Sequence, residues 1–365
     1  MPPVADLLTQ PSRPPISFAL EPALNVFNSL SLLTRAEYMY GLDDWVTRTL
    51  AALPKDRRHR HELIFVGLYF AIEPQRSFAN FPAFIADVAQ QTPEVLRDRV
   101  LDTYLRLPIC APIDKKPAPV EKAALLANKR AFLKFLRERF SPDHVIEAIE
   151  IEAHALLNDP PRMQQIIVDH LQTMWHEVAE PEWTNVKPML QACVDAYQQI
   201  DLSNLSIPDA AERVLGRPLD DDWRAKLSTV ERIVFVPSAH VGPYLTKFNA
   251  PRHFTLVFGA RQPQGAAAFS PDLSRSELLV RVVALADDVR LRILRLIAEQ
   301  GEMCSPDIIR QLNLSQSAAS RQLQQLTATG YLNERRREGA KCYTLNAERI
   351  DDTFHALARF LQSKH

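Results

Sequence analysis

Cysteine is scarce in this chain: four in 365 residues, at 110, 193, 304 and 342, with no CxxC pair among them. That spacing argues for reduced thiols, and against a disulfide framework or a zinc ribbon. Glycine is scarce too, at nine residues, which leaves few places for glycine-rich loops. Neither a phosphate-loop nor a dinucleotide glycine pattern occurs, so no cofactor is expected and no catalytic residue is nominated. No run of eighteen apolar residues occurs, so no membrane-spanning helix and no membrane partner are expected. The start, Met1 to Pro15, is polar and proline-rich and lacks the basic-then-apolar layout of a secretory signal. A cytoplasmic address is the resulting expectation.

What is present is a globular composition. Apolar residues make up 46% of the chain, enough for a core, and charged residues 24%, enough for a surface. The length exceeds one typical domain. Net charge is −1 overall but uneven: from Ser274 onward there are 14 Lys and Arg against 11 Asp and Glu. The basic excess gathers at Arg335, Arg336, Arg337 and Lys341, a modest footprint for a phosphate backbone.

Two stretches read as breaks, Pro108–Pro119 with four prolines and Gln262–Arg275 with Gly, Pro and small residues. The second divides the chain into a region at 1–261, a linker at 262–275 and a domain at 276–365. Helical periodicity marks Val120–Phe140, His144–Leu157, Arg162–Val178 and Val186–Ile200, and Glu62–Ile72 reads as a buried helix. Ile16–Leu20, Arg232–Val236 and His253–Phe258 read as strands. The fold class is mainly α with small β-sheets (α+β).

The last ninety residues read element by element. Glu277–Ala286 is a helix with a wide apolar face, and Asp287-Asp288 opens a second that Gly301 ends. Ser305-Pro306-Asp307 signals a short third helix, with Ser as its cap and Pro at its first position. After a turn at Asn313-Leu314, Ser315 caps a fourth helix that Gly330 stops. Two short helices joined by a tight turn make a helix-turn-helix. On a helical wheel Ala319, Leu323 and Leu326 share one side of the fourth helix. Gln316, Ser317, Ser320, Arg321 and Gln324 fall on the opposite arc. Gln suits adenine edges, Arg suits guanine edges or phosphate, and Ser suits either; the plainer alternative is a solvated helix face. Tyr331–Arg337, Glu338-Gly339-Ala340 and Lys341–Leu345 then read as strand, turn and strand. Its cations form a basic wing, or else a charged edge that resists aggregation. A final helix carries Ile350, Phe354, Leu357 and Leu361 on one stripe.

Asp287–Leu345 resembles the ArsR/SmtB family of winged-helix repressors. The motifs that carry the resemblance are LADDVRLRILRLI, LNLSQSAASRQLQQLTATGYL and RREGAKCYTL. It implies a homodimer on double-stranded operator DNA, released or regripped by a signal. Such dimers pair through the first and last helices of the domain, here those of Glu277 and Ile350. The family's metal-sensing segment, Glu-Leu-Cys-Val-Cys-Asp, reads EMCSPDI here, with Cys304 kept and Pro306 at the second cysteine position. In the other metal site, across the last helix, Arg349 and Ala347 occupy the first part and only His355 and His365 remain. No metal site is expected, and Cys304 reads as a small buried residue; a thiol switch through Cys304 or Cys342 is the minor alternative. ISFALEPALNVFNSL and RIVFVPSAHVGPYL further resemble long regulators of this type, whose N-terminal domain has no settled role.

In the N-terminal region, Ser238, His240 and Tyr244 in VPSAHVGPY follow a strand and are candidates for contacting a small-molecule effector. The competing reading is a structural corner with His240 satisfied by backbone. Trp175, His176 and Trp183, with Tyr38, Tyr40 and Trp45 elsewhere, either line an apolar pocket or fill the core. The function expected is a dimeric transcriptional regulator, with the N-terminal region as sensor, dimeriser or both. An enzyme fused to a winged helix, or a protein-interaction scaffold, is the alternative.

Overall fold

The computed structural model describes residues 15–362 apart from 38, 40, 108–119, 141–144, 251–252, 262, 264–270 and 338. The proline-rich break at 108–119, Tyr38, Tyr40, Glu338 and His365 thus lie outside the described residues, as does most of the expected linker. Helices dominate and the strands form two small sheets, in keeping with the α+β expectation. Contacts gather the chain into two compact units: Glu21–Lys187, and Met1–Leu20 with Pro188–His365.

In chain order, β1 (Ile16–Phe18) precedes a helical series: α1 (Pro22–Leu33), α2 (Asp44–Ala52), α3 (Lys55–Glu62), α4 (Tyr69–Ile72), α5 (Phe81–Gln90), α6 (Pro93–Arg106), α7 (Lys122–Ala127), α8 (Lys129–Arg139), α9 (Glu147–Leu157) and α10 (Pro160–Met174). A π turn at Trp175–Ala179 then leads into α11 (Glu180–Gln198). Helix α1 lies in the core of the 21–187 unit, buried at every position after Pro22. Its serines survive burial because the helix satisfies them: Ser29 Oγ donates to Asn25 O at 2.9 Å and Ser31 Oγ to Asn28 O at 2.8 Å. Against α1, His61 Nε2 donates to Leu30 O at 2.9 Å, which leaves its Nδ1 to accept from His170 Nε2 at 3.0 Å. His61 is therefore neutral. Burial depresses the His61 pKa to about 4, against the opposing Leu30 hydrogen bond. It depresses that of His170 to about 3, with help from the neighbouring His61, Arg60 and Arg57. Trp175 packs on Phe81 in this core, whereas His176 is exposed.

The second unit continues with α12 (Ile207–Leu215), α13 (Asp221–Ser228), β2 (Arg232–Ser238), β3 (Thr246–Ala250) and β4 (His253–Gly259). The strand order is β1-β2-β4-β3, with β1 and β4 parallel to β2 and β3 antiparallel on the edge. Strand β2 is central and carries buried Ile233, Phe235 and Val236, as a β-branched and aromatic run requires. The antiparallel edge strand β3 has no counterpart among the expected strands.

The C-terminal part comprises α14 (Pro271–Leu285), α15 (Asp288–Gln300), β5 (Met303–Cys304), α16 (Ser305–Leu312), α17 (Gln316–Ala328), β6 (Leu332–Arg337), β7 (Ala340–Leu345) and α18 (Ala347–Gln362). Ile293, Ile297, Ile308, Leu323, Leu326 and Tyr331 fill its core. At about 1.5–3 kcal/mol for each large apolar side chain fully buried, they are its main source of stability. Tyr331 resolves its polar end by donating to Arg281 O while lying 3.0 Å from Thr353 Oγ1.

Candidate nucleic-acid interface

Local chemistry explains each turn of the C-terminal part. Asp287 accepts from Arg290 N at 3.0 Å and starts α15. Ser315 Oγ accepts from Ala318 N at 3.2 Å and starts α17; a cap of this kind contributes about 1 kcal/mol. Between α16 and α17 the chain reverses through Asn313, whose φ of 51° places it in the left-handed region that Asn tolerates. One expected cap is displaced. Ser305 is the cap that the sequence predicts for α16, but the helix begins at Ser305 itself and Cys304 occupies the N-cap position without a side-chain bond. The cause is β5: pairing with the wing's second strand holds Met303 and Cys304 extended up to the first turn.

On α17, Ala319, Leu323 and Leu326 are buried, while Gln316, Ser317, Ser320 and Gln324 are exposed and Arg321 is half-buried. Ser315 is exposed as well, its Oγ 3.3 Å from Ser317 Oγ. The arc drawn on the helical wheel is thus one continuous surface.

Behind that surface lies a residue whose role periodicity does not show. Arg290 is buried in α15 and donates to Ala284 O at 2.6 Å, Val283 O at 3.0 Å, Gln322 Oε1 at 3.0 Å and Gln325 Oε1 at 2.9 Å. One guanidinium fork therefore ties α14, α15 and α17 together, and sets the angle at which α17 stands.

Strands β6 and β7 form the expected hairpin, paired from Leu332↔Leu345 to Arg337↔Ala340. Each of its four cations has an acidic partner. Glu302 accepts from Arg335, at 2.5 Å on Nη2, and lies 3.6 Å from Arg337. Arg336 Nη2 donates to Asp222 Oδ2 on α13 at 2.8 Å, and Lys341 Nζ lies 2.6 Å from Glu334. Hydrogen bonding from Arg335 chiefly holds Glu302 below the usual carboxylate range.

The family model described as "Bacterial regulatory protein, arsR family" matches residues 287–334, the span from the Asp287 cap through α17 into β6. This segment is an ArsR-family helix-turn-helix. Two curated relatives match the ArsR-type domain, both from Pseudomonas putida. The arsenic resistance transcriptional regulator ArsR1 is 44% identical over 64 residues, 18% of this chain and 50% of that protein. ArsR2 of the same description is 42% identical over 65 residues, 18% of this chain and 56% of that protein. The chain spans about half the length of the curated relatives it matches.

The ArsR-type domain also overturns the expectation of reduced thiols. Cys304 and Cys342 are joined by a disulfide. The two stand directly opposite in the β5–β7 ladder, a proximity that a separation of 38 residues conceals. The bond pins the start of α16 to the wing. Cys193 remains a free, buried thiol, its Sγ 3.2 Å from Arg261 O, and burial pushes its pKa up to about 12.

Ser238 ends β2, His240 and Tyr244 follow within six residues, and all three are buried. Ser238 Oγ accepts from His240 N at 3.4 Å. The corner is tight, since a Cβ on Gly259 would lie 2.2 Å from Gly242 O.

Proposed function

We propose that this chain is a transcriptional regulator whose domain at 276–365 binds operator DNA as a homodimer, with the region at 1–261 receiving a signal. The observation that carries the reading is the exposed polar arc of α17. Gln316, Ser317, Ser320 and Gln324 stand clear of the domain, and Arg290 clamps the helix from behind. Glutamines and an arginine so presented match base edges in a major groove. The wing's Arg335, Arg336, Arg337 and Lys341 then meet phosphates by exchanging carboxylate partners for phosphate ones.

A homodimer is supported by unpartnered apolar surface on the first and last helices of the domain. Leu279 and Val283 on α14 are 52% and 46% exposed, and Phe354 and Leu361 on α18 are 57% and 73% exposed. The two helices pack against each other, and exposed apolar side chains on neighbouring helices are of the kind that marks an association site. In this reading a two-fold axis through that surface sets the two α17 helices on half-sites about one helical turn apart, on the order of 34 Å.

For the signal, two features favour something other than a metal. Pro306 replaces a thiolate donor in the family's segment, and Cys304 Sγ is engaged with Cys342. The test is a mobility-shift titration of the full chain on the region upstream of its own gene. A salt-sensitive, sequence-dependent shift that Gln316→Ala and Arg321→Ala weaken supports the reading; equal binding to every sequence refutes it.

A further inference from the structure

Where the turn after α12 meets the base of the wing, guanidiniums outnumber carboxylates. Glu277 Oε1 accepts from Arg281 Nη2 and stands 3.6 Å from Arg261 Nη2 and 3.9 Å from Arg349 Nη2. Arg349 is buried, and Arg281 Nε is buried with no hydrogen-bond partner. A fourth, Arg217, closes on the group from the turn. Gly330 separates it from Arg349: a Cβ there would lie 3.5 Å from Arg217 Cβ and 3.3 Å from Arg349 Nε. The Asp220 carboxylate offsets part of the Arg217 charge, but it is already engaged in capping α13, accepting from Trp223 N at 2.8 Å. Arg261, Arg281 and Arg349 thus share Glu277, with Arg349 Nε also donating to Thr329 O at 3.1 Å and Arg261 Nη1 to Leu215 O, while Arg217 has only part of Asp220. Burial, then repulsion from Arg281 and Arg261, lowers the Arg349 pKa to about 10, against the opposing pull of Glu277. Buried charge left this far from neutral is unfavourable unless something anionic joins it.

There is room for that anion. A cleft of ≈ 320 Å³ opens between the turn at Arg217–Asp220 and the segment Thr327–Glu334. Arg217 lines it on one side, and Thr327, with a buried Oγ1 that lacks a partner, on the other. Glu334 also lines the cleft, but Lys341 neutralises it at 2.6 Å. The volume lies at the small end of ligand pockets, and a guanidinium fork facing a partnerless hydroxyl suits an oxyanion.

We propose that this cleft binds a small oxyanion, the carboxylate or phosphate group of a metabolite, on Arg217 and the Thr327 hydroxyl, within the positive field of Arg349, Arg281 and Arg261. The same turn runs directly into α13, whose Asp222 holds Arg336 of the wing. An occupant that draws on Arg217 shifts the start of α13, and with it the Asp222–Arg336 pair. That coupling rests on the DNA-binding reading above; oxyanion binding does not.

The test is calorimetric titration of the full chain with inorganic phosphate and, separately, with succinate, each at constant ionic strength against chloride. One of the two is expected to bind saturably and to raise the melting temperature where chloride does not. Phosphate alone identifies a phosphoryl ligand, succinate alone a carboxylate one. Arg217→Ala is expected to weaken binding about tenfold, and Thr327→Val about threefold, with Arg335→Ala without effect. If Arg217→Ala does not fold, Thr327→Val carries the test, since it keeps shape and charge. Neither anion binding above chloride, or both cleft variants binding like the parent, overturns the proposal. A mobility shift run with and without the anion separates the two readings. Anion binding with an unchanged shift overturns the coupling, whereas loss of all DNA binding with anion binding intact sinks the DNA reading alone.

Discussion

Asp222 Oδ2 lies 2.8 Å from Arg336 Nη2, so a helix from outside the winged part occupies one of the wing's cations. Both side chains are about half exposed, and such pairs contribute at most about 1 kcal/mol. That energy is small for the fold but matters for a phosphate contact. Asp222→Ala is expected to raise operator affinity about two- to fivefold and to steepen the dependence on log salt by about one charge. Unchanged affinity and slope, read by fluorescence anisotropy, would show that Arg336 stands away from the duplex.

Arg290 is expected to be the most sensitive position behind the recognition surface. Arg290→Met removes a buried cation and strands Gln322 and Gln325 side-chain carbonyls together with those of Val283 and Ala284. The expected loss is about 3 kcal/mol of stability, measured by urea unfolding, with weakened DNA binding even where the domain stays folded. A loss below about 0.5 kcal/mol would mean that α17 is held by apolar packing alone.

Much of this part was legible in the sequence, and the reason is local chemistry. Asp287, Asn313, Ser315 and Gly330 each act on the backbone within a few residues, so caps and turns can be placed without tertiary knowledge. Arg290 cannot, because an arginine within an amphipathic helix reads as surface. Its acceptors come from α14 and α17, up to 35 positions away. Strand β5 is two residues long and carries no period, so neither its pairing with β7 nor the meeting of Cys304 and Cys342 is visible in the sequence. The wing arginines do form a basic hairpin, as their pattern implies, but their partners Glu302 and Asp222 lie in other elements. At the β2 corner, nothing in VPSAHVGPY distinguishes an open loop from the buried turn observed; close approach of Gly259 and Gly242 decides it.

The Cys304–Cys342 bond predicts a reductant-sensitive domain. Closing a loop of this size stabilises by about 4 kcal/mol in the chain-entropy account. Reduction is therefore expected to lower the melting transition of the ArsR-type domain by several degrees. Cys342→Ala should melt at the lower temperature with or without reductant. Identical melts of oxidised and reduced parent chain would contradict the bond's structural role.

The buried groups of the 21–187 unit set a pH profile. His61 and His170 have folded pKa values near 4 and 3, below the ordinary 6.5. Their contribution is complete above pH 6.5 and is lost as pH falls toward those values. Glu150 behaves oppositely: burial raises its pKa to about 8, so its contribution is complete below about pH 4.5 and is lost as pH rises toward 8. Stability of this unit is expected to peak near pH 6.5. Glu150→Gln should remove the alkaline decline, leaving the variant more stable than the parent at pH 8 by a few kcal/mol, since each tenfold change in proton affinity is worth about 1.4 kcal/mol. Chemical denaturation at pH 5, 6.5 and 8 checks both slopes, and a parent profile flat from 6.5 to 8 would rule out a buried, ionising Glu150.

The most direct measurement is anisotropy of a labelled upstream duplex titrated with the parent chain, Gln316→Ala, Arg321→Ala and a wing variant, Arg337→Ala, at two salt concentrations. Removing the α17 side chains is expected to cost about 1–3 kcal/mol of affinity and to flatten discrimination between operator and scrambled duplex. Removing the wing cation should weaken both duplexes alike and lower the salt slope by about one. Full operator affinity and discrimination in Gln316→Ala and Arg321→Ala alike would contradict the assignment of α17 as the reading helix.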